Sequence, residues 1–367
     1  MITLLRFIAS AMAPLTLAAA IVGFIWPQTF TLFGSIFKEL FAATMFALGI
    51  VLNPDDLAST LKQPQRIGLG VLTQYLVMPL LAFTIATLAG LPPALALGFI
   101  IVGSAPGAMA SNVIVYLAGG VLAFSIALTT VATFLSPLLT PLLVKYLGGQ
   151  FMDISFWKLM WTIVYILVVP LAGGMLLRHY LSQPCKATFV IGHVLLAVLL
   201  ISLMYSQSGF ASWQIILCAL FVMVLPFMGL LLGQGLSTIT LRWAREIAPA
   251  IASLAIIVIC AYAVAKNQQQ IANVGLIVFV LVVLLNALGY LAGWHLARLY
   301  RFDQAHQLTL SIEIGMQNAG MGVALALAHF GDQPEVALPG ALFAVWCIIT
   351  AAGASSWLRK KHALVTG

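Results

Sequence analysis

LTLSIEIGMQNAGMGVALALA, residues Leu308–Ala328, decides how the chain is read. The run is apolar enough to enter a bilayer, yet Glu313, Gln317 and Asn318 sit in its middle. Gly315, Gly320 and Gly322 interrupt it, and burial in lipid asks for none of them. A carboxylate at bilayer depth is costly and marks an ion or substrate path. Glycines beside it predict a broken helix whose backbone carbonyls and ends face a cavity. The competing reading is a carboxylate buried neutral, or hydrogen-bonded to lock helices together. Gly, Gln and Asn, however, make a poor packing face and a good ligand shell.

The rest of the chain fits a membrane setting. Of 367 residues, 63% are hydrophobic and 7% charged, with a mean hydropathy of +1.12. A soluble domain carries roughly a quarter charged residues. The net charge of +7 comes from short loops between apolar runs, which points to anionic lipid and not to nucleic acid. Cys185, Cys218, Cys260 and Cys347 are scattered and read as small packing residues. The N-terminal run through Trp26 could pass for a signal peptide, but it is long enough to span and reads as a retained helix.

A bilayer is crossed by about 20 apolar residues. That ruler predicts twelve spans, near 6–26, 31–53, 67–89, 94–118, 121–146, 156–178, 187–206, 210–236, 247–266, 271–297, 307–330 and 337–358. Basic residues gather on alternate connections: Arg6, Lys62, Arg66, Arg178, Lys186, Arg242, Arg245, Arg298, Arg301 and Arg359–Lys361. This bias predicts both termini in the cytoplasm. A second interrupted run, GSAPGAMASNVIVYLAGG at 103–120, mirrors the opening stretch, with Pro106 and Gly107 before Ser111-Asn112. Each interrupted run is the fourth of a five-helix group once the hairpin at 187–236 is set aside. The helix before each carries a buried amide, Gln74 and Asn286. Two broken helices at matching positions in two halves point to an inverted repeat and its binding site.

Of the nine acidic residues, only Glu313 is deep. Lys38-Glu39 sits inside the second span as a candidate ion pair near the interface. Hydroxyls, amide oxygens, a carboxylate and free carbonyls suit a hard cation. The available set is Gln74, Ser111, Asn112, Ser125, Thr129, Glu313 and Gln317. Ser125 and Thr129 share a helix face, and hydroxyl back-bonding to the preceding turn remains the competing explanation for that pair. His193, His295 and His329 lack metal spacing and read as lone polar residues. Trp26, Trp157, Trp294 and Trp346 read as aromatics of the membrane interface. No hydrolase, zinc-protease or phosphate-loop motif occurs, so the chain is not read as an enzyme.

ALGIVLNPDDL (47–57), SNVIVYLAGG (111–120), SPLLTPLL (136–143), IEIGMQNAG (312–320) and LPGALFAVW (338–346) resemble the bile acid:sodium symporter family, specifically its bacterial members. The resemblance covers 1–180 and about 243–358. It implies an all-α polytopic protein of the bacterial inner membrane, with two inverted five-helix repeats forming core and panel domains and two crossing broken helices. Mapped onto this chain, panel helices fall in 1–60, 151–182 and 243–269, core helices in 61–150 and 270–360, an inserted transmembrane hairpin in 183–242, and a cytoplasmic tail in 361–367.

The resemblance also implies two sodium sites. The first would use Ser111, Asn112, Ser125, Thr129 and Glu313; the second Gln74, Glu313, Gln317 and the carbonyls of Ile314 and Met316. A small organic anion would bind near Asn112, Asn318, Met109, Asn286 and Cys347. Met109, Leu285 and Cys347-Ile348 depart from the family's usual residues, which puts bile acid itself in doubt as substrate. The hairpin is expected to be peripheral or to make a subunit contact. Sodium-coupled uptake by alternating access is therefore the expected activity. Proton coupling through Glu313 and a non-transporting receptor or scaffold stand as alternatives.

Overall fold

The computed structural model describes residues 12–52, 63–182, 247–248, 250–347 and 349–350. These contain helices α1 (Met12–Ile25), α2 (Phe37–Val51), α3 (Pro64–Leu88), α4 (Pro93–Gly103), α5 (Ser111–Ala118) and α6 (Leu122–Leu143). After them, α7 runs as Phe156–Ile163 and Val169–Ser182 through a π-helical turn at Val164–Val168. Then come α8 (Ala250–Lys266), α9 (Gln268–Leu299), α10 (Gln304–Gly315), α11 (Ala319–His329) and α12 (Pro334–Cys347). The protein is an all-α membrane protein. The expected hairpin at 187–236 and the tail at 361–367 lie outside the described residues.

Four described helices are long and apolar enough to cross a membrane: Pro64–Leu88, Leu122–Gly148, Phe156–His179 and Gln268–Leu299. A fifth is added if Pro14–Ile25 and Gln28–Gly34, which meet at 106°, form one span. The span expected near 31–53 changes winding along its length. Leu32–Ile36 winds as a 3-10 turn, and the α-helix begins only at Phe37. The spans expected at 94–118 and 307–330 are each broken in two, as their glycines and Pro106 suggest.

Prolines set several starts. Pro64 and Pro93 stand at the first turns of α3 and α4, where a missing N–H costs nothing. Inside α6, Pro137 and Pro141 remove ladder donors, and the helix relaxes into a π-helical turn at Val144–Gly148. Leu72, Leu76, Leu80, Leu276, Ile277 and Val280 are exposed on α3 and α9. Such apolar stripes belong against lipid.

Buried side chains form two large clusters. One joins Phe37, Phe41 and Met45 of α2, Ile163–Leu171 of α7 and Ile259 of α8 to Met321–Ala326 of α11. The other joins α3, α4, α6, α9, α10 and α12 through Met78, Phe99, Leu128, Leu285, Leu310 and Phe343. At one end of α3 and α10, Arg66 donates to His306 Nε2 at 3.0 Å. His306 Nδ1 lies 2.6 Å from Asp303 Oδ2. Asp303 also caps α10 by accepting from the backbone N–H of His306. The two helices that carry Gln74 and Glu313 are thus tied together at their starts.

Candidate functional site

Helices α4 and α10 both stop short inside the protein, and the chain continues as α5 and α11. The two breaks cross as an isolated antiparallel bridge between Gly107 and Gln317. Ala108 N donates to Met316 O, and Asn318 N donates to Pro106 O, both at 2.8 Å. These bonds satisfy backbone groups that the interrupted helices leave free, which is the condition for irregular backbone at membrane depth. Gly107 suits this close approach: a Cβ there would lie 3.0 Å from Glu313 Oε2 and 3.3 Å from Thr129 Cγ2, tight enough to push on both.

Glu313 is 1% exposed. Its Oε1 accepts from Ser111 Oγ at 2.6 Å and from Ser125 Oγ. Ser111 Oγ is also 2.6 Å from Ala108 O, and Ser125 Oγ is 2.6 Å from Asn112 Oδ1. Each serine has one hydrogen to share between two acceptors. Glu313 Oε2 is buried and has no hydrogen-bond partner. Ala108 O is also served by the backbone N–H of Ser111 at 2.9 Å, so three acceptor oxygens (Glu313 Oε1 and Oε2 and Asn112 Oδ1) depend on the two hydroxyl hydrogens. A donor-poor cluster of oxygens around a carboxylate suits a hard cation and repels an anion.

Thr129 is buried beside this cluster but donates its hydroxyl to Ser125 O at 2.7 Å, so its hydrogen stays with its own helix. Its methyl faces Gly107. The other amide pair forms a chain: Gln74 Nε2 donates to Gln317 Oε1 at 2.7 Å and to Ala105 O at 3.2 Å. Gln317 Nε2 donates to Ile314 O at 2.8 Å, while Met316 O serves the crossing bond. Residues of both expected cation sites are thus gathered within one crossing. The serine–carboxylate half is open to a further positive charge, and the glutamine half is internally bonded.

The residues expected on the substrate side divide. Asn318 is half-buried and caps α11 by accepting from Met321 N at 3.1 Å. Asn112 is half-buried at the start of α5. Met109 packs against the cluster that includes α2 and α7. Asn286 and Cys347 are buried and lie 3.8 Å apart. Asn286 Nδ2 donates to Gly315 O at 2.7 Å, and Trp346 Nε1 donates to Asn286 Oδ1 at 3.0 Å. Reading Trp346 as an interfacial aromatic is therefore corrected: its indole N–H is spent inside the protein. His329 meets Thr162 at 2.8 Å, so it is a packed, bonded histidine.

The profile of the Sodium Bile acid symporter family matches residues 40–211. The chain is 30% identical over 343 residues to "Uncharacterized sodium-dependent transporter YocS" of Bacillus subtilis (strain 168), covering 93% of this chain and 88% of that protein. The chain belongs to the sodium bile acid symporter family. It is also 30% identical over 302 residues to "Probable sodium/metabolite cotransporter BASS1, chloroplastic" of Arabidopsis thaliana, covering 82% of this chain and 61% of that protein. The protein of the same description from Oryza sativa subsp. japonica is 32% identical over 302 residues, with 82% and 60% covered. The chain thus spans about three-fifths of the plant relatives. All these members are described as sodium-dependent or sodium-coupled transporters. The chain is accordingly a member of a family of sodium-dependent transporters.

Proposed function

We propose that the chain is a symporter that carries a small organic anion together with two sodium ions by alternating access. The observation that carries the reading is the donor deficit around Glu313: its two carboxylate oxygens and Asn112 Oδ1 depend on two hydroxyl hydrogens, and one carboxylate oxygen is buried without a partner. A sodium ion between Glu313, Ser111, Asn112 and Ser125 supplies the missing positive charge. Thr129 joins once its lone pairs turn inward. A second ion replaces the internal amide bonds of Gln74 and Gln317, using their oxygens with the Ile314 and Met316 carbonyls. The anion lies against the half-helix N-termini at Asn112 and Asn318, where backbone dipoles favour negative charge.

The division proposed is a core spanning 61–150 and 270–360 and a panel of 1–60, 151–182 and 243–269, and α11 of that core packs on α2 and α7 of that panel. Two inverted repeats in a bacterial inner membrane, with both termini cytoplasmic, accord with the paired broken helices and the loop charges. The hairpin at 183–242 is assigned a peripheral or subunit contact. Two cations entering with a monoanion make transport electrogenic, worth about 2.3 kcal/mol per net charge per 100 mV.

The test is a thermal-shift screen of organic anions with and without sodium, followed by uptake into proteoliposomes. An anion that stabilises the protein only with sodium, and is then taken up only down a sodium gradient, supports the reading. Binding without counterflow makes the chain a receptor. Because Glu313 Oε2 is unpartnered, a proton is the rival cation; uptake that ignores sodium at fixed pH but follows a pH gradient would favour it.

A further inference from the structure

The two breaks are each held by an amide from the preceding long helix. Gln74 of α3 donates to Ala105 O at the end of α4, and Asn286 of α9 donates to Gly315 O at the end of α10. Both carbonyls belong to helix ends, where the ladder has run out of partners. The two amides differ in what occupies their oxygens. At Asn286, the oxygen is taken by the indole N–H of Trp346, from α12. An indole nitrogen only donates, so it admits only the oxygen of the amide, and the Nδ2 donor is forced toward Gly315 O. The orientation of Asn286 is therefore fixed from outside.

The surroundings leave little slack. A Cβ on Gly289 would come within 3.2 Å of Gly315 Cα and 3.3 Å of Ile314 O. Ser311 Oγ donates to Tyr290 O at 2.7 Å, one helix turn before the break. Trp346 itself is braced edge-on by Phe279 of α9, with ring centroids 5.6 Å apart. Three helices thus converge on one carbonyl, and the next residues along are the ones assigned to the second cation.

We propose that Trp346 and Asn286 are positioning residues: an indole–amide clamp that sets the Ile314–Gln317 backbone for the second sodium ion, without touching ion or substrate. The inference rests on the sodium reading given above. It assigns Asn286 a role different from substrate contact, and it gives Trp346 a role that its place near a span end does not suggest. Without the indole N–H, the amide is free to turn over and present its oxygen to Gly315 O. The break then loses its fixed geometry, and the second ion binds more weakly while the serine–carboxylate half is untouched.

The experiment uses full-length protein in detergent and compares wild type, Trp346→Phe, Asn286→Leu, the double variant and Glu313→Gln. Trp346→Phe keeps the ring and its packing but removes the donor. Thermal stability is titrated with sodium chloride against choline chloride. Hydrogen exchange is followed over the peptide holding Met316 and Asn318. In Trp346→Phe, half-saturating sodium should rise by about tenfold, with the Hill coefficient falling and exchange at the break accelerating. Trp346→Phe should add nothing further in the Asn286→Leu background, because it acts through that amide. Wild-type sodium response and exchange in Trp346→Phe, or effects that add in the double variant, overturn the clamp. A sodium response that survives Glu313→Gln overturns the underlying cation reading instead. If wild type itself shows no sodium response, the cation assignment fails, and the exchange rates alone decide whether the clamp exists.

Discussion

Ser111 and Ser125, from two different helices, converge on the same carboxylate oxygen of Glu313. The contact joins α5 and α6 to α10, 202 and 188 residues later in the chain. It leaves the other oxygen of Glu313 bare. Removing the charge should therefore remove the cation and leave the fold. In Glu313→Gln, sodium-dependent uptake should fall to background, and sodium should no longer raise the melting temperature. Normal sodium-driven uptake in this variant would sink the assignment.

Ser125→Ala removes one of the two hydroxyls, leaving Asn112 Oδ1 without its donor. Loss of one buried hydrogen-bonding group costs about 1–3 kcal/mol. Half-saturating sodium should rise by roughly ten- to a hundredfold, with uptake partly restored at high sodium. Transport assays at graded sodium check this, and an unchanged sodium requirement would contradict it.

Gln74 and Gln317 hold each other across the crossing at 2.7 Å. Gln74→Leu should abolish cooperativity between the two ions, bringing the Hill coefficient for sodium from near two toward one. Gln74→Glu keeps an oxygen ligand and should retain part of it. A cooperative sodium curve in Gln74→Leu would argue that only the serine–carboxylate site binds.

Gly289→Ala tests the packing of α9 on the break. The added Cβ would meet Met78 Sδ at 2.7 Å as well as the backbone of Gly315. Overpacking of this kind costs about 1–3 kcal/mol, so the melting temperature should drop with or without sodium. A variant as stable as wild type would mean the helices can part without cost.

The hydrogen bond from His306 holds the Asp303 carboxyl below its ordinary value. A lowered carboxyl pKa stabilises the fold at pH above that ordinary value, and the contribution fades as pH falls below it. Asp303→Asn should flatten the acid limb of the melting curve below about pH 5 while leaving the neutral region nearly unchanged. An acid limb identical to wild type would show that the capping carboxylate is not linked to folding.

Glu313 and the two breaks were legible because chemistry at bilayer depth is rare. One acid, an amide pair and clustered glycines stand out against an apolar run, and the structure brings Ser111, Asn112, Ser125 and Gln74 around them. Thr129 was harder. Its spacing from Ser125 is right for a shared face, but sequence cannot decide whether a hydroxyl points outward or back to its own helix, and here it bonds back. Trp346 was misread because interfacial position is a local property, whereas its partner Asn286 lies 60 residues away. The change of winding at the start of the second span was not legible for a related reason. Residues 32–36 are as apolar as a helix, but their 3-10 winding comes with close packing of Gly34 against Tyr262 of α8.

Four helix ends meet at the crossing: the C-terminal ends of α4 and α10 and the N-terminal ends of α5 and α11. Carbonyl ends and amide ends carry opposite partial charges. Their sum at the centre is closer to a quadrupole than to a monopole, so the protein there behaves as a solvent for a salt. A cation paired with an anion is solvated by both kinds of end at once. On the proposed symport reading, either ion alone also meets helix ends of unfavourable sign, which would disfavour a passenger crossing without its companion before any moving part is considered.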